Sequence, residues 1–272
     1  MLTAVTQGFA GNADPAWTAT GDRILFYEAS PPGASYPDWT SSNLYSMDPN
    51  GGSIRQLTFE PTHVYDESPA ISPDGTRIAF DRFDLTGRRS GIYLMNADGS
   101  HIVRITAPPA SAAGGDLYPS FSPDGTKLAF IRDAIPDGEG ALYTVGIDGT
   151  GLRQVTPTTF LDATRPHWSP DGSRLLFGTP ESDHTASGRN VYVVNSDGSG
   201  LIALTHEYDP DWVENPSWSP DGTMIVFDQY QDGTHFVGLV VMRADGSHPT
   251  VIWHPTPSTD VFPRGPVWGT AP

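Results

Sequence analysis

The chain contains no cysteine, a single lysine at Lys127, and no long apolar run. Each absence removes a class of function. Without thiols there are no disulfides, no thiolate nucleophile and no cysteine-ligated zinc. Fifteen basic residues against 32 acidic ones leave a formal charge of -17. Such a surface repels a phosphate backbone, which excludes nucleic acid and disfavours anionic lipid. Basic proteins, neutral sugars and cations remain as partners, although excess acid also serves plain solubility. No segment approaches the ~20 apolar residues of a spanning helix, so no membrane insertion is expected. The start, Met1-Leu-Thr-Ala-Val-Thr6, lacks a basic segment followed by an apolar one, so no signal peptide is visible.

Turn residues, in contrast, are abundant, with 29 glycines and 26 prolines. They recur at fixed places, which makes them punctuation and not disorder. The phrase Ile71-Ser-Pro-Asp-Gly75 returns as Phe121-Ser-Pro-Asp-Gly125, Trp168-Ser-Pro-Asp-Gly172 and Trp218-Ser-Pro-Asp-Gly222. A worn copy, Trp17-Thr-Ala-Thr-Gly21, precedes them and a truncated one, Trp268-Gly269, follows. The lead residues are spaced by 54, 50, 47, 50 and 50. A period of this size means one supersecondary unit used repeatedly, and it overrides the two-domain expectation from length.

Within a period, four strands A to D are expected. In the second copy Pro69-Ala-Ile71 leads into the turn, Arg77–Phe80 is strand B, Ile92–Met95 strand C and Ile102–Thr106 strand D. Ser-Pro-Asp-Gly makes the A–B turn. Proline presets the first corner, aspartate bonds the backbone two residues on, and glycine accepts positive φ. Asp98-Gly99, Asp148-Gly149, Asp197-Gly198 and Asp245-Gly246 make the C–D hairpins, which the first copy stretches to Asp48-Pro-Asn-Gly-Gly52. Such a meander cannot bury both faces alone, and radial stacking solves this, so the fold predicted is an all-β β-propeller. The lead Trp, Phe or Ile is expected to pack between neighbouring blades.

Residues 1–272 are read as a single propeller domain with repeats near 14–58, 66–106, 116–156, 162–205 and 211–253. Closing strands at 2–6 and 260–269 form half of a sixth blade, joining the two ends and removing exposed sheet edges. The missing strands of that blade would lie upstream of Met1. A five-bladed ring is the alternative. A monomer is expected.

The residues Pro216-Ser-Trp-Ser-Pro-Asp-Gly222 and Ile92-Tyr-Leu-Met-Asn-Ala-Asp-Gly-Ser100 resemble the repeat of the TolB-like β-propeller family. The resemblance covers essentially the whole chain, but the N-terminal α/β domain of TolB proper has no counterpart here. It implies an extracytoplasmic or periplasmic bacterial protein that binds a partner protein. Related propellers are sugar lyases or stand beside hydrolase domains, and one fold hosts many activities.

The A–B and C–D turns are nearly constant, whereas the B–C and D–A connections vary. Recognition loops are free to differ, so the variable end is the candidate binding face. Its candidates are Tyr36 and Trp39 in the longest B–C loop, His63, His206 and Glu207 in D–A loops, His167 on strand A, and Glu214. Glu181, Asp183 and His184 populate another B–C loop. Asp66, Asp116, Asp162, Asp211 and Asp260 recur before the motif proline, with Asn12 in the first copy. Together they would suit calcium, which takes several oxygen ligands. Alternatively each caps the start of strand A. No other cofactor is implied.

No catalytic motif is present. There is no Gly-x-Ser-x-Gly elbow, no His-Glu-x-x-His and no phosphate-cradling loop. A non-catalytic binding scaffold is therefore expected. The rivals are a carbohydrate-active enzyme using Asp209, Asp211 and Glu214 as paired carboxylates, and the propeller portion of a larger hydrolase.

Overall fold

A computed structural model describes residues 12–18, 20–30, 40–86, 89–109, 115–134, 139–158, 160–161, 165–178, 190–206, 212–231, 235–254 and 268. Among these every regular element is a strand. The chain divides into two compact units, residues 1–135 with 145–152, and residues 136–144 with 153–272.

In the first unit, repeat one supplies β1 (Asn12–Trp17), β2 (Ile24–Ser30), β3 (Ser41–Met47) and β4 (Arg55–Gln56). Repeat two supplies β5 (Val64–Ile71), β6 (Arg77–Asp84), β7 (Gly91–Asn96) and β8 (Val103–Arg104). Both run antiparallel in chain order, and a single parallel bridge, Ser42 to Tyr65, links them. Repeat three begins with β9 (Gly115–Phe121) paired to β10 (Lys127–Ala134). The rest of repeat three falls mostly in the second unit, where β11 (Glu139–Gly146) pairs with β12 (Arg153–Gln154) and β13 (Phe160–Leu161).

The second unit holds repeat four, β14 (His167–Trp168), β15 (Arg174–Gly178), β16 (Val191–Asn195) and β17 (Ile202–Ala203). Repeat five follows as β18 (Trp212–Trp218), β19 (Met224–Gln231), β20 (His235–Arg243) and β21 (Thr250–Trp253). Of the closing strands only Trp268 lies within the described residues.

The repeated letters each have a bond to make. In the A–B turn, Ser72 Oγ donates to Asp74 Oδ1 at 2.5 Å, and the same oxygen accepts from Thr76 N at 3.0 Å. Ser72 Oγ in turn accepts from Arg77 N at 2.9 Å. The pattern recurs around Asp124, Asp171 and Asp221. The worn first copy keeps it with altered residues. Thr18 Oγ1 takes the serine's place, accepting from Arg23 N at 3.0 Å and donating to Asp22 Oδ1 at 2.6 Å. These bonds hold the Asp74 and Asp171 carboxyls down at about 2.

Strand D is shorter than expected, two ladder residues in repeat two in place of Ile102–Thr106. The terminal threonine explains this. Its hydroxyl replaces a backbone carbonyl and accepts from strand C, Leu44 N to Thr58 Oγ1 at 3.0 Å and Ile92 N to Thr106 Oγ1 at 2.9 Å. Leu142 N to Thr156 and Val191 N to Thr205 repeat it.

Adjacent sheets share their cores. Leu25, Tyr27, Leu44 and Leu57 of repeat one cluster with Ile78, Phe80, Tyr93 and Met95 of repeat two. Trp218 lies among Leu176, Val191 and Leu204 of repeat four and Ile225 and Phe227 of its own sheet. The lead residue thus packs between sheets there, as expected. Trp218 Nε1 also donates to His167 O at 3.2 Å, and Trp268 Nε1 makes the equivalent bond to Ser217 O at 3.2 Å. Trp17 differs, being half exposed. The hairpin glycine is fixed by its neighbour too. Gly99 has φ 83°, and a Cβ there would meet Leu57 O of the preceding repeat at 3.0 Å.

Candidate functional site

The constant turns share one end of each sheet. Ala97 N of the C–D hairpin donates to Thr76 O of the A–B turn at 2.9 Å, and Ala244 N to Thr223 O repeats this in the fifth repeat. In the first unit the variable connections meet at the other end. His63 N donates to Thr40 O at 2.6 Å, and His63 O accepts from Leu85 N at 3.0 Å. His63 therefore splices one D–A connection to two B–C loops through its backbone. Its φ of 73° is uncommon for a non-glycine residue, and its ring is exposed.

An ion network sets this end. Asp66 and Asp116 were expected to precede strand A, as caps or calcium ligands. Both instead lie within it, because β5 starts at Val64 and β9 at Gly115. Arg82 Nε and Nη2 fork onto Asp66 at 2.6 and 2.8 Å, and Arg132 grips Asp116 at the same distances. Both carboxylate oxygens of each aspartate are thus held by a guanidinium across the ladder. Arg82 also meets Glu60 at 2.8 Å, and Arg89 bridges Glu60 and Asp84 at 3.0 Å each. The Arg82 guanidinium stacks 4.5 Å from the Tyr93 ring centroid. Burial pushes the Asp66 carboxyl above its ordinary value against the pull of Arg82.

A second polar cluster lies where the A strands bulge. Asp14, Ser68, Tyr118 and Asn215 each stand three residues before the lead residue and directly before a proline. Each has φ between 50° and 56°. A β-bulge breaks the A–B register at each place. A left-handed non-glycine residue before proline is doubly disfavoured, so the surrounding structure holds it there. Ser68 Oγ donates to Asp14 Oδ2 at 3.2 Å, and Tyr118 N to Asp81 Oδ1 at 3.0 Å. Glu67 lies directly across the ladder from Asp81 and accepts from Ser42 Oγ at 3.0 Å. Burial first, then the Glu67 charge, pushes Asp81 up to about 7. Burial raises Glu67 as well, with Asp14 and Asp66 adding to it. Tyr27 is pushed up by burial and by these same carboxylates.

The Asp81 carboxyl holds a proton near neutrality that the unfolded chain would lose near pH 4. Its contribution to stability is therefore full below about pH 4 and lost as pH rises through about 7. The thermal midpoint is expected to fall between pH 5.5 and 8 by roughly a few degrees, and Asp81→Asn to flatten that slope. An unchanged slope in the variant would remove the assignment.

The remaining sequence candidates are scattered. His167 is half-buried, and burial with the Arg165 charge pushes it down to about 4, so it is neutral at physiological pH. His206 is exposed. Glu214 is half-buried and faces Asp228 across the ladder, as Glu67 faces Asp81. Tyr36, Trp39, Asp162, Glu181, Asp183, His184, Glu207, Asp209, Asp211 and Asp260 lie outside the described residues. Among the described residues no three His, Asp or Glu side chains are placed to hold a metal ion.

Sequence reasoning missed Asp14, Glu67 and Asp81. Two signals mark them: the residues just ahead of the motif proline, and the residue after the strand-B phenylalanine. Both change from repeat to repeat while their surroundings do not.

Four-stranded antiparallel meanders repeated with shared intersheet cores are the construction of a β-propeller. Residues 61–271 match the TolB beta propeller domain, and the chain belongs to that family. A search of the curated proteins finds no match. Among solved structures, TolB from Acinetobacter baumannii is similar at 21% identity and TM-score 0.63, covering 88% of this chain and 53% of its own. The chain thus spans about half the length of that protein. Puromycin hydrolase is similar at 17% identity and TM-score 0.67, over 91% of this chain and 40% of its own. An oligogalacturonate lyase in complex with manganese is similar at 19% identity and TM-score 0.60, over 84% and 60%. Identities this low carry the fold alone.

Proposed function

We propose that the chain is a non-catalytic binding propeller that holds a protein partner on the end formed by the B–C and D–A connections, in an extracytoplasmic compartment. The supporting observation is the exposure of Phe59 (76%) and Leu85 (58%) on connections at that end. Large apolar side chains held out on pinned loops suit an interface core. The pinning comes from the Leu85–His63 backbone bond and from Glu60, which sits next to Phe59 and holds both arginines. Little ordering entropy is then left to lose on binding.

A photo-crosslinking residue placed at 59 or 85 tests this in the producing cells. A discrete protein adduct is expected from these positions and not from 76 or 97 at the opposite end. Equal labelling of both ends, or none at 59 and 85, would remove the reading.

A second reading, a carbohydrate-active enzyme or the propeller of a larger hydrolase, is favoured by the Glu67–Asp81 pair. Two carboxyls facing each other across the ladder, with Asp81 pushed up to about 7, are the kind of pair that acid–base chemistry uses. It also draws on the likeness to the lyase and the hydrolase. Turnover in a panel of acidic and neutral oligosaccharides, lost in Asp81→Asn with the fold intact, would establish it.

A further inference from the structure

The first C–D hairpin carries an asparagine before its glycine where its four sisters carry an aspartate. In those, an aspartate before glycine accepts from the backbone N–H two residues on: Ser100 N to Asp98 Oδ1, Thr150 N to Asp148, Ser199 N to Asp197 and Ser247 N to Asp245, all at 2.9–3.0 Å. These bonds hold all four carboxyls below their ordinary value. The slot therefore favours the ionised form of aspartate over the protonated one. In repeat one it holds an amide: Gly52 N donates to Asn50 Oδ1 at 3.0 Å. The turn's own backbone bond is the same, since Gly51 N bonds Asp48 O at 2.9 Å as Gly99 N bonds Asn96 O, although Pro49 has no N–H to give the bond that Ala97 donates to Thr76. Asn50 is exposed, and of the seven asparagines it alone precedes a glycine.

We propose that Asn50 is a deamidation site of the folded protein, which converts the odd hairpin to the aspartate form its sisters carry. Gly51 N gives its proton to solvent base and attacks Asn50 Cγ. The new N–Cγ bond closes a five-membered imide, the Cγ–Nδ2 bond breaks, and ammonia leaves with the proton. Water then opens the imide, so the net change is water in and ammonia out, with one negative charge gained. Opening at Cγ gives aspartate; opening at the backbone carbonyl gives isoaspartate.

Three features favour this position. Gly51 has no Cβ to obstruct attack. The bond from Gly52 N–H polarises the Asn50 carbonyl. The product carboxylate keeps that bond and strengthens it, as charged acceptors do. One feature opposes it: the Gly51–Asp48 bond must break before attack, which slows reaction by roughly two- to tenfold relative to unfolded chain.

The test holds the folded chain at mildly alkaline pH and maps its peptides by mass spectrometry over time, beside the same chain in denaturant. Asn50 is expected to convert ahead of the other six asparagines, within about tenfold of its rate in denaturant. The thermal midpoint of Asn50→Asp is expected to equal or exceed that of the parent. An Asn50 that stays amide in the folded chain while converting in denaturant would overturn the proposal. A lower midpoint for Asn50→Asp would overturn it too, because the slot would then not favour the acid.

Discussion

Replacing Arg82 with methionine is expected to cost about 3–5 kcal/mol, the range for removing one partner of a buried ion pair. Methionine keeps the apolar stem, so the loss is mainly the guanidinium. Asp66, fully buried, would keep its carboxyl with no counter-charge. The thermal midpoint should drop by roughly 6–20 °C. Asp66→Leu combined with Arg82→Met should recover much of this, because an apolar pair leaves no orphaned charge. Glu60 would also lose one of its two arginines, so amide exchange at residues 57–63 should accelerate. A single-variant cost under about 1 kcal/mol would mean that the pair is no more than a surface salt bridge.

Trp218→Ala is expected to cost about 3–5 kcal/mol, as for other buried aromatic truncations. The indole lies between the fourth and fifth repeats, is 6% exposed, and bonds His167 O. Trp218→Phe separates the terms: it keeps most of the packing and loses the N–H bond, worth about 0.5–1.5 kcal/mol. Trp17→Ala should cost roughly 1 kcal/mol or less, since half of that ring is already in water. Urea denaturation of the three variants measures this. Equal costs at 17 and 218 would contradict the burial difference.

The sequence treats Trp17 and Trp218 alike because both open the same motif. Only the neighbours of each sheet separate them. The same limit applies to the candidate sites. Asp66 and Asp116 were visible as a repeated carboxylate, but their meaning depends on Arg82 and Arg132, each sixteen residues later and opposite in the ladder. Periodicity placed the strands and did not give cross-strand register, since the β-bulge shifts the pairing by a residue.

The sequence by itself determined the all-β repeat, the turn chemistry and which connections vary. Those follow from local rules: proline and glycine fix backbone angles, aspartate and threonine satisfy nearby amides, and alternating apolar residues choose a face. The tertiary structure alone decided which carboxylates meet. Glu67 and Asp81 are fourteen residues apart, and Asp14 comes from the preceding repeat. The raised affinity of Glu67 and Asp81 for protons exists because burial and the neighbouring charges act through space. Chain spacing does not encode that distance.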